Sequence, residues 1–359
     1  MNARDLSVKP FQRGLVVGKF SPLHRGHELV IRRAFEMCRE VLLISYSNPE
    51  MPGCEAERRE RWLAQLFPQA HRLVVTDEWI RQRFPGRNGS ATVPRNDAED
   101  SVHRRFVGFL CTEGLGLIAD AVFTSEDYGD GFARELTNYF REHNTDATEV
   151  RHILVDRARN EVPISGWKIR ADVEGHRQWL SRIVYASFVR RVCILGGESS
   201  GKSTLAEALA THHGTVHVPE YGRELWESKN GSLTFEDMLH IAETQVAAED
   251  EASLQAGRFL FCDTSPLTTL FYSQHLFQRA EPKLEELAQR RYDLVVLCAA
   301  DFAFVQDGTR QDASFRERQN AWYINELNRR GVPFLQVTGG LSERIAQVSQ
   351  RLNPVTSHP

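Results

Sequence analysis

The chain has 359 residues, which is long for a single core and suggests two domains; 41% hydrophobic and 26% charged residues mark an ordinary soluble globular protein. A formal net charge of −4 excludes a general basic surface for duplex nucleic acid. Six cysteines with no C-x-x-C pair, no apolar signal region and no apolar run near 18 residues exclude a disulfide framework and a membrane span, and predict reduced thiols in the cytoplasm.

Short apolar runs alternate with longer amphipathic segments along the whole chain. The first set of strand candidates is 14–18, 41–46, 72–76, 120–124 and 151–155. The second set is 190–196, 215–219, 258–263, 293–298 and 333–337. This pattern predicts two α/β units with largely parallel sheets. Cys193, Cys262 and Cys298 fall in or beside the apolar runs and read as buried thiols. The arginines at 58–62 read as a solvated helix face. The segment 176–191, with Trp179, Leu180, Ile183, Val184 and Phe188, reads as one helix packing both domains, and no Gly/Ser linker is present.

The first strand candidate runs into GKFSPLHRGHE (18–28) and then a helical pattern, 27–38. Gly18, Phe20 and Gly26 allow a close-fitting loop, Lys19 adds charge, and His24 and His27 form an H-x-G-H signature of nucleotidyltransferases. Imidazoles donate hydrogen bonds to phosphate oxygens. Such a site needs no nucleophilic side chain and stabilises charge on an α-phosphate attacked by another phosphate. The rivals are zinc, which lacks a helical i, i+4 pair or a nearby acid or cysteine at ligand spacing, and a merely structural pair.

Further on, TSEDYG (124–129) follows a strand, and Ser125 and Tyr128 are candidates to touch a base or ribose. VPISGWKIRAD (162–172) places Ser165, Lys168 and Arg170 at a helix start, where they would grip a triphosphate.

The strongest signal is VCILGGESSGKST, a strand leading into a helix. Gly196, Gly201, Lys202 and Ser203 match G-x-x-x-x-G-K-[ST]; Gly197, Glu198, Ser199, Ser200 and Thr204 complete the nucleotide loop. Glycines let backbone N–H groups curl around phosphate, the helix N-terminus adds positive potential, Lys202 reaches the β/γ-phosphates and Ser203 ligates Mg²⁺. Glu220 and Asp263 fall at strand carboxyl ends. Asp263 reads as the acid for Mg²⁺ or its waters, and Glu220 as the base for an attacking hydroxyl; ordinary loop acids are the alternative. In 301–320, Arg310 and Arg316 are candidates to close on the transferring phosphoryl, against a solvated helix face, and Asp307 is a candidate substrate contact. Residues 234–237 look like the start of a structural helix reaching about 256. Without an H-R-D catalytic loop, a small-molecule kinase is the better reading than a protein kinase.

GKFSPLHRGH, TSEDYG, DRARNEVPISGWKIR and GGESSGKST, in this order, resemble the bifunctional NadR family, over about 14 to about 350. The resemblance implies a Rossmann-like nicotinamide mononucleotide adenylyltransferase domain, 11–182, and a P-loop ribosylnicotinamide kinase domain, 188–355. It implies ATP and Mg²⁺ as cofactors and nicotinamide riboside, the mononucleotide and NAD as small-molecule partners, with no membrane and a homo-oligomer left open. His24 and His27 would then activate the ATP phosphates, Ser165 and Arg170 would hold them, and Tyr221, Arg223 and Trp226 would form the riboside pocket; an aromatic face suits a cationic pyridinium. Two departures stand out. About 13 residues precede the first strand candidate, too few for the DNA-binding helix-turn-helix of some members, and Trp167 replaces the threonine of ISGT-x-x-R. The alternatives are the same chemistries on another acceptor, or a nucleotide-sensing regulator with little turnover.

Overall fold

A computed structural model describes residues 9–85, 92–301 and 313–353. The chain divides into two compact units, Met1–Ser187 and Phe188–Pro359. No helix among the described residues is long and apolar enough to cross a membrane.

The first unit is built on β1 (Phe11–Val17), β2 (Cys38–Tyr46), β3 (His71–Val75), β4 (Ala121–Thr124) and β5 (Arg151–Leu154). All pair in parallel, in the order β3-β2-β1-β4-β5. Parallel strands covered by helices on both faces read as unbroken apolar runs, as LVV and VLLIS do here. Gly14 lets β1 sit tightly in the middle: a Cβ there would lie 2.6 Å from Cys38 Sγ. The chain fills one side of β1 with β2 and β3, then crosses to β4. That reversal opens a crevice at the carboxyl ends of β1 and β4, where α/β sheets bind ligands.

The second unit repeats the logic with β6 (Arg190–Gly196), β7 (His217–Val218), β8 (Phe259–Asp263), β9 (Leu294–Cys298) and β10 (Phe334–Val337). Its order is β10-β9-β6-β8-β7, again all parallel. Here β6 is the reversal strand, flanked by β8 and β9. All six cysteines are free and buried.

Two expectations need correction. The segment 176–191 is not one helix: a turn of 3₁₀ helix, Arg177–Trp179, is followed by extended Leu180 and a separate helix, Arg182–Ala186, capped by the Ser181 hydroxyl. Nor is 58–62 a wholly solvated face. Arg59 is fully buried, donating to Ser45 Oγ at 2.7 Å and Glu50 Oε1 at 2.6 Å, so its charge is paired with a carboxylate inside the fold.

Candidate active sites

In the first unit β1 delivers residues 18–28 to the crevice. Gly18 has no room for a side chain, since a Cβ would lie 2.7 Å from the Phe20 ring. Phe20 is buried at φ +46° and meets His27 edge-on, 5.1 Å between centroids. His24 stacks on His27 at 3.8 Å. Each imidazole is pinned by backbone of its own turn: His24 Nδ1 accepts from the Gly26 N–H at 3.1 Å, and His27 Nδ1 from the His24 N–H at 3.3 Å. The two bonds form a reciprocal cap on helix Arg25–Met37.

These bonds decide a tautomer. An accepting Nδ1 carries no hydrogen, so each neutral ring has its proton on Nε2. Both rings are held neutral. Burial, with Arg159 behind it, pulls His24 down to about 4. Burial, then His24 and Arg159, pull His27 well below its ordinary value. The turn therefore owns two fixed Nε2–H donors. Positive charge is supplied separately by Lys19, whose ammonium is lowered by burial and then by Arg170.

Arg170 reaches the same loop, donating from Nη1 to the Ser21 carbonyl. The segment before it packs equally closely: a Cβ on Gly166 would stand 2.9 Å from that carbonyl oxygen. Ser165 precedes helix Gly166–Ala171, and its buried Oγ has no hydrogen-bond partner among the described residues. Lys168 is exposed, and Trp167 is 64% exposed. A cleft of about 330 Å³ is lined by Gly18, Lys19 and Tyr128, with Tyr46, Asn96 and His103 beside them. Ser125 is partly buried at the end of β4 and does not line it. Tyr46 and His103 escaped the sequence reading; the Tyr46 hydroxyl meets His103 Nδ1 at 3.0 Å. The only sequence signal was a tyrosine ending an apolar strand.

In the second unit the loop after β6 curls as its glycines require. A Cβ on Gly196 would lie 2.6 Å from Ser200 Oγ, and one on Gly197 2.7 Å from the Arg316 carbonyl oxygen. Ser199 and Gly201 have positive φ, +58° and +79°. Lys202 is buried, and its Nζ donates to the Gly197 carbonyl at 3.3 Å, folded back on its own loop. Ser203 and Thr204 are exposed on the first turn of helix Lys202–His212.

Around this loop the register sets the acids. Asp263 ends β8 opposite Ile194, is 2% exposed, and its Oδ1 has no hydrogen-bond partner among the described residues. An orphaned carboxylate oxygen is a hard donor of the kind magnesium takes, and the exposed Ser203 hydroxyl on the helix's first turn is another. Glu220 lies two residues past β7, as the residue preceding helix Tyr221–Ser228. Burial pushes its carboxyl up and Asp263 adds to this, while Lys202 opposes. Arg223 Nη2 stands 3.9 Å from Glu220 Oε2.

Lys202, Glu220 and Arg223 share a cleft of about 570 Å³ with Glu198 and Trp226, and with Tyr272, Gln245 and Gln319, whereas Asp263 does not line it. Tyr221 is not part of its lining; its hydroxyl meets His240 Nε2 at 3.1 Å. Glu198 is held by two residues the sequence reading missed: Tyr272 donates to its carboxylate at 3.0 Å, and its N–H donates to Gln319 Oε1 at 2.9 Å. Arg316 is buried in helix Ala313–Arg329, so it is not a solvated face, whereas Arg318 is exposed. Arg310 and Asp307 lie outside the described residues. Thr234 and Asp237 form a capping box that starts helix Phe235–Ser253. A further missed residue, Arg344, is buried and donates to the carbonyls of Ser200 at 2.7 Å, Ala299 at 3.1 Å and Gly339 at 2.9 Å, and to Asp301.

Comparison with known proteins covers both units. A family model described as AAA domain matches residues 191–344. The trifunctional NAD biosynthesis/regulator protein NadR of Escherichia coli (strain K12) is 30% identical over 342 residues, covering 90% of this chain and 78% of that protein. Two solved NadR structures share the fold over 97% of this chain and 98% of theirs. One, in complex with NAD and AMP-PNP, has TM-score 0.68 at 20% identity. The other, in complex with NR, has TM-score 0.70 at 19% identity.

Proposed function

The chain belongs to the NadR family, and from that premise we propose that it makes NAD in two ATP-dependent steps, one in each unit. The observation that carries this reading is the pairing, in one chain, of a His24/His27 turn owning two Nε2–H donors with a P-loop whose Lys202 shares a cleft with Glu220.

In the second unit, nicotinamide riboside is phosphorylated. Its hydroxyl oxygen attacks the γ-phosphorus of ATP, the bond from that phosphorus to the ADP oxygen breaks, and the hydroxyl proton passes to Glu220. A raised carboxyl is a stronger base than an ordinary glutamate, which suits this role. Lys202 leaves the Gly197 carbonyl to meet the phosphates, and the loop N–H groups surround them. Asp263 and Ser203 would hold magnesium, which supplies charge neutralisation at the phosphates when bound.

In the first unit, a phosphate oxygen of nicotinamide mononucleotide attacks the α-phosphorus of a second ATP, and the bond to pyrophosphate breaks. No proton transfer is required. His24 and His27 donate from Nε2 to phosphate oxygens as charge builds, Lys19 and Arg170 add positive charge, and the Ser165 hydroxyl has a free bond to give. Tyr128 and the Tyr46–His103 pair wall the mononucleotide side.

The test is product analysis. The purified chain with ATP and Mg²⁺ is expected to convert the riboside to the mononucleotide and the mononucleotide to NAD and pyrophosphate. No NAD from the mononucleotide would remove the adenylyltransferase half of the reading, and no mononucleotide from the riboside the kinase half.

A further inference from the structure

Gln245 lies on helix Phe235–Ser253, 3% exposed, and lines the 570 Å³ cleft beside Glu220. Its carboxamide is oriented by one bond: Oε1 accepts from the Tyr221 backbone N–H at 3.0 Å. The amide cannot be turned over without setting two donors against each other. Nε2 is thereby fixed on the side of the amide away from the Tyr221 N–H, where it is buried with no hydrogen-bond partner among the described residues. A buried donor left unpaired is costly, and a ligand oxygen placed against it would recover the bond.

The surrounding chemistry says what completes it. Glu198 and Glu220 in the same cleft are acids, and when ionised they only accept hydrogen bonds. They suit hydroxyl hydrogens. Gln245 supplies the opposite need, a neutral donor, on a stretch of wall shared with apolar Met238 and Ile241. We propose that Gln245 is a specificity-determining residue of the kinase cleft, its Nε2 donating to an acceptor oxygen of the bound nucleoside. That oxygen belongs to the ribose or to the carboxamide of the base. This rests on the kinase reading given above.

Glutamate at 245 retains the acceptor for the Tyr221 N–H but, once ionised, loses the donor; Gln245→Glu therefore separates ligand reading from local structure. The expected result is a rise of about tenfold in KM for nicotinamide riboside, growing with pH as the new carboxyl ionises, with KM for ATP unchanged. NAD formation from the mononucleotide reports that the chain is folded. Repeating the assay with the pyridinium riboside lacking the carboxamide identifies the oxygen: a penalty that vanishes assigns the carboxamide, and one that persists assigns the ribose. A Q245E enzyme with wild-type KM for both ribosides at every pH overturns the proposal and leaves the kinase reading intact. A wild-type chain that phosphorylates neither riboside overturns both. Gln245→Met removes the Tyr221 contact as well and is expected to raise the same KM at all pH values.

Discussion

On the proposed reading the two units meet phosphate with different chemistry on closely related scaffolds. Both place a loop at the carboxyl end of the central strand of a five-stranded parallel sheet, where the strand order reverses. The first unit keeps its turn neutral and directional, with two imidazoles stripped of charge and locked by their own backbone. The second uses full charges in a buried pocket, Lys202 against Glu220 and Asp263. The difference follows the chemistry. A phosphate nucleophile is already ionised and needs only positioning and donors, whereas a hydroxyl nucleophile must lose a proton, so an acid has to sit within its reach.

Four measurements would break or sharpen this contrast. The largest effect is expected from Lys202→Ala, which should lower riboside phosphorylation by at least about 10²-fold while NAD formation from the mononucleotide continues. Loss of both in a folded chain would end the idea of separate sites. His27→Ala comes next, with about 10²-fold less NAD formation and an unchanged kinase.

Acidification should then split the two activities. A Glu220 that acts as base must be ionised, and its carboxyl is raised, so on the proposed reading kinase activity declines as pH falls through a value above the ordinary carboxylate range. His24 and His27 stay neutral over the same mildly acid window, so NAD formation holds. The first unit pays in stability instead: unfolded His24 takes up a proton below about 6.5, folded His24 only near 4, so its melting temperature falls between those values. Parallel pH profiles for both activities would contradict the assignment of Glu220. The smallest effect belongs to Trp167→Thr. Trp167 is largely exposed, so stability should move by less than about 0.5 kcal/mol. A hydroxyl regained at the phosphate would raise NAD formation by up to about tenfold, one hydrogen bond's worth.

Much of the fold was legible because buried parallel strands leave continuous apolar runs; all ten predicted strands occur, with ends displaced by a few residues. The conformations of the loops after β1 and β6 were legible because their glycines and charged residues are local in sequence. What escaped depends on distant partners. Arg59 looks solvated in its helix, and only Ser45 and Glu50 reveal it as buried. Gln245 is an ordinary mid-helix residue until Tyr221, 24 positions earlier, orients its amide. The break in 176–191 turns on the Ser181 cap, whose single serine is weaker in the pattern than the apolar spacing around it. For Arg316 the sequence left a phosphoryl contact and a solvated face open, and only the fold shows it buried against the Gly197 loop.

The guanidinium of Arg344 has a consequence for how the second unit breathes. One side chain holds the carbonyls of Ser200, Ala299 and Gly339 at once, each beyond the carboxyl end of a different strand, β6, β9 and β10. Those three chain segments cannot open separately without stranding a buried cation. Their amides should exchange with solvent deuterium as a single cooperative unit, the P-loop unfastening together with the ends of β9 and β10 rather than fraying alone.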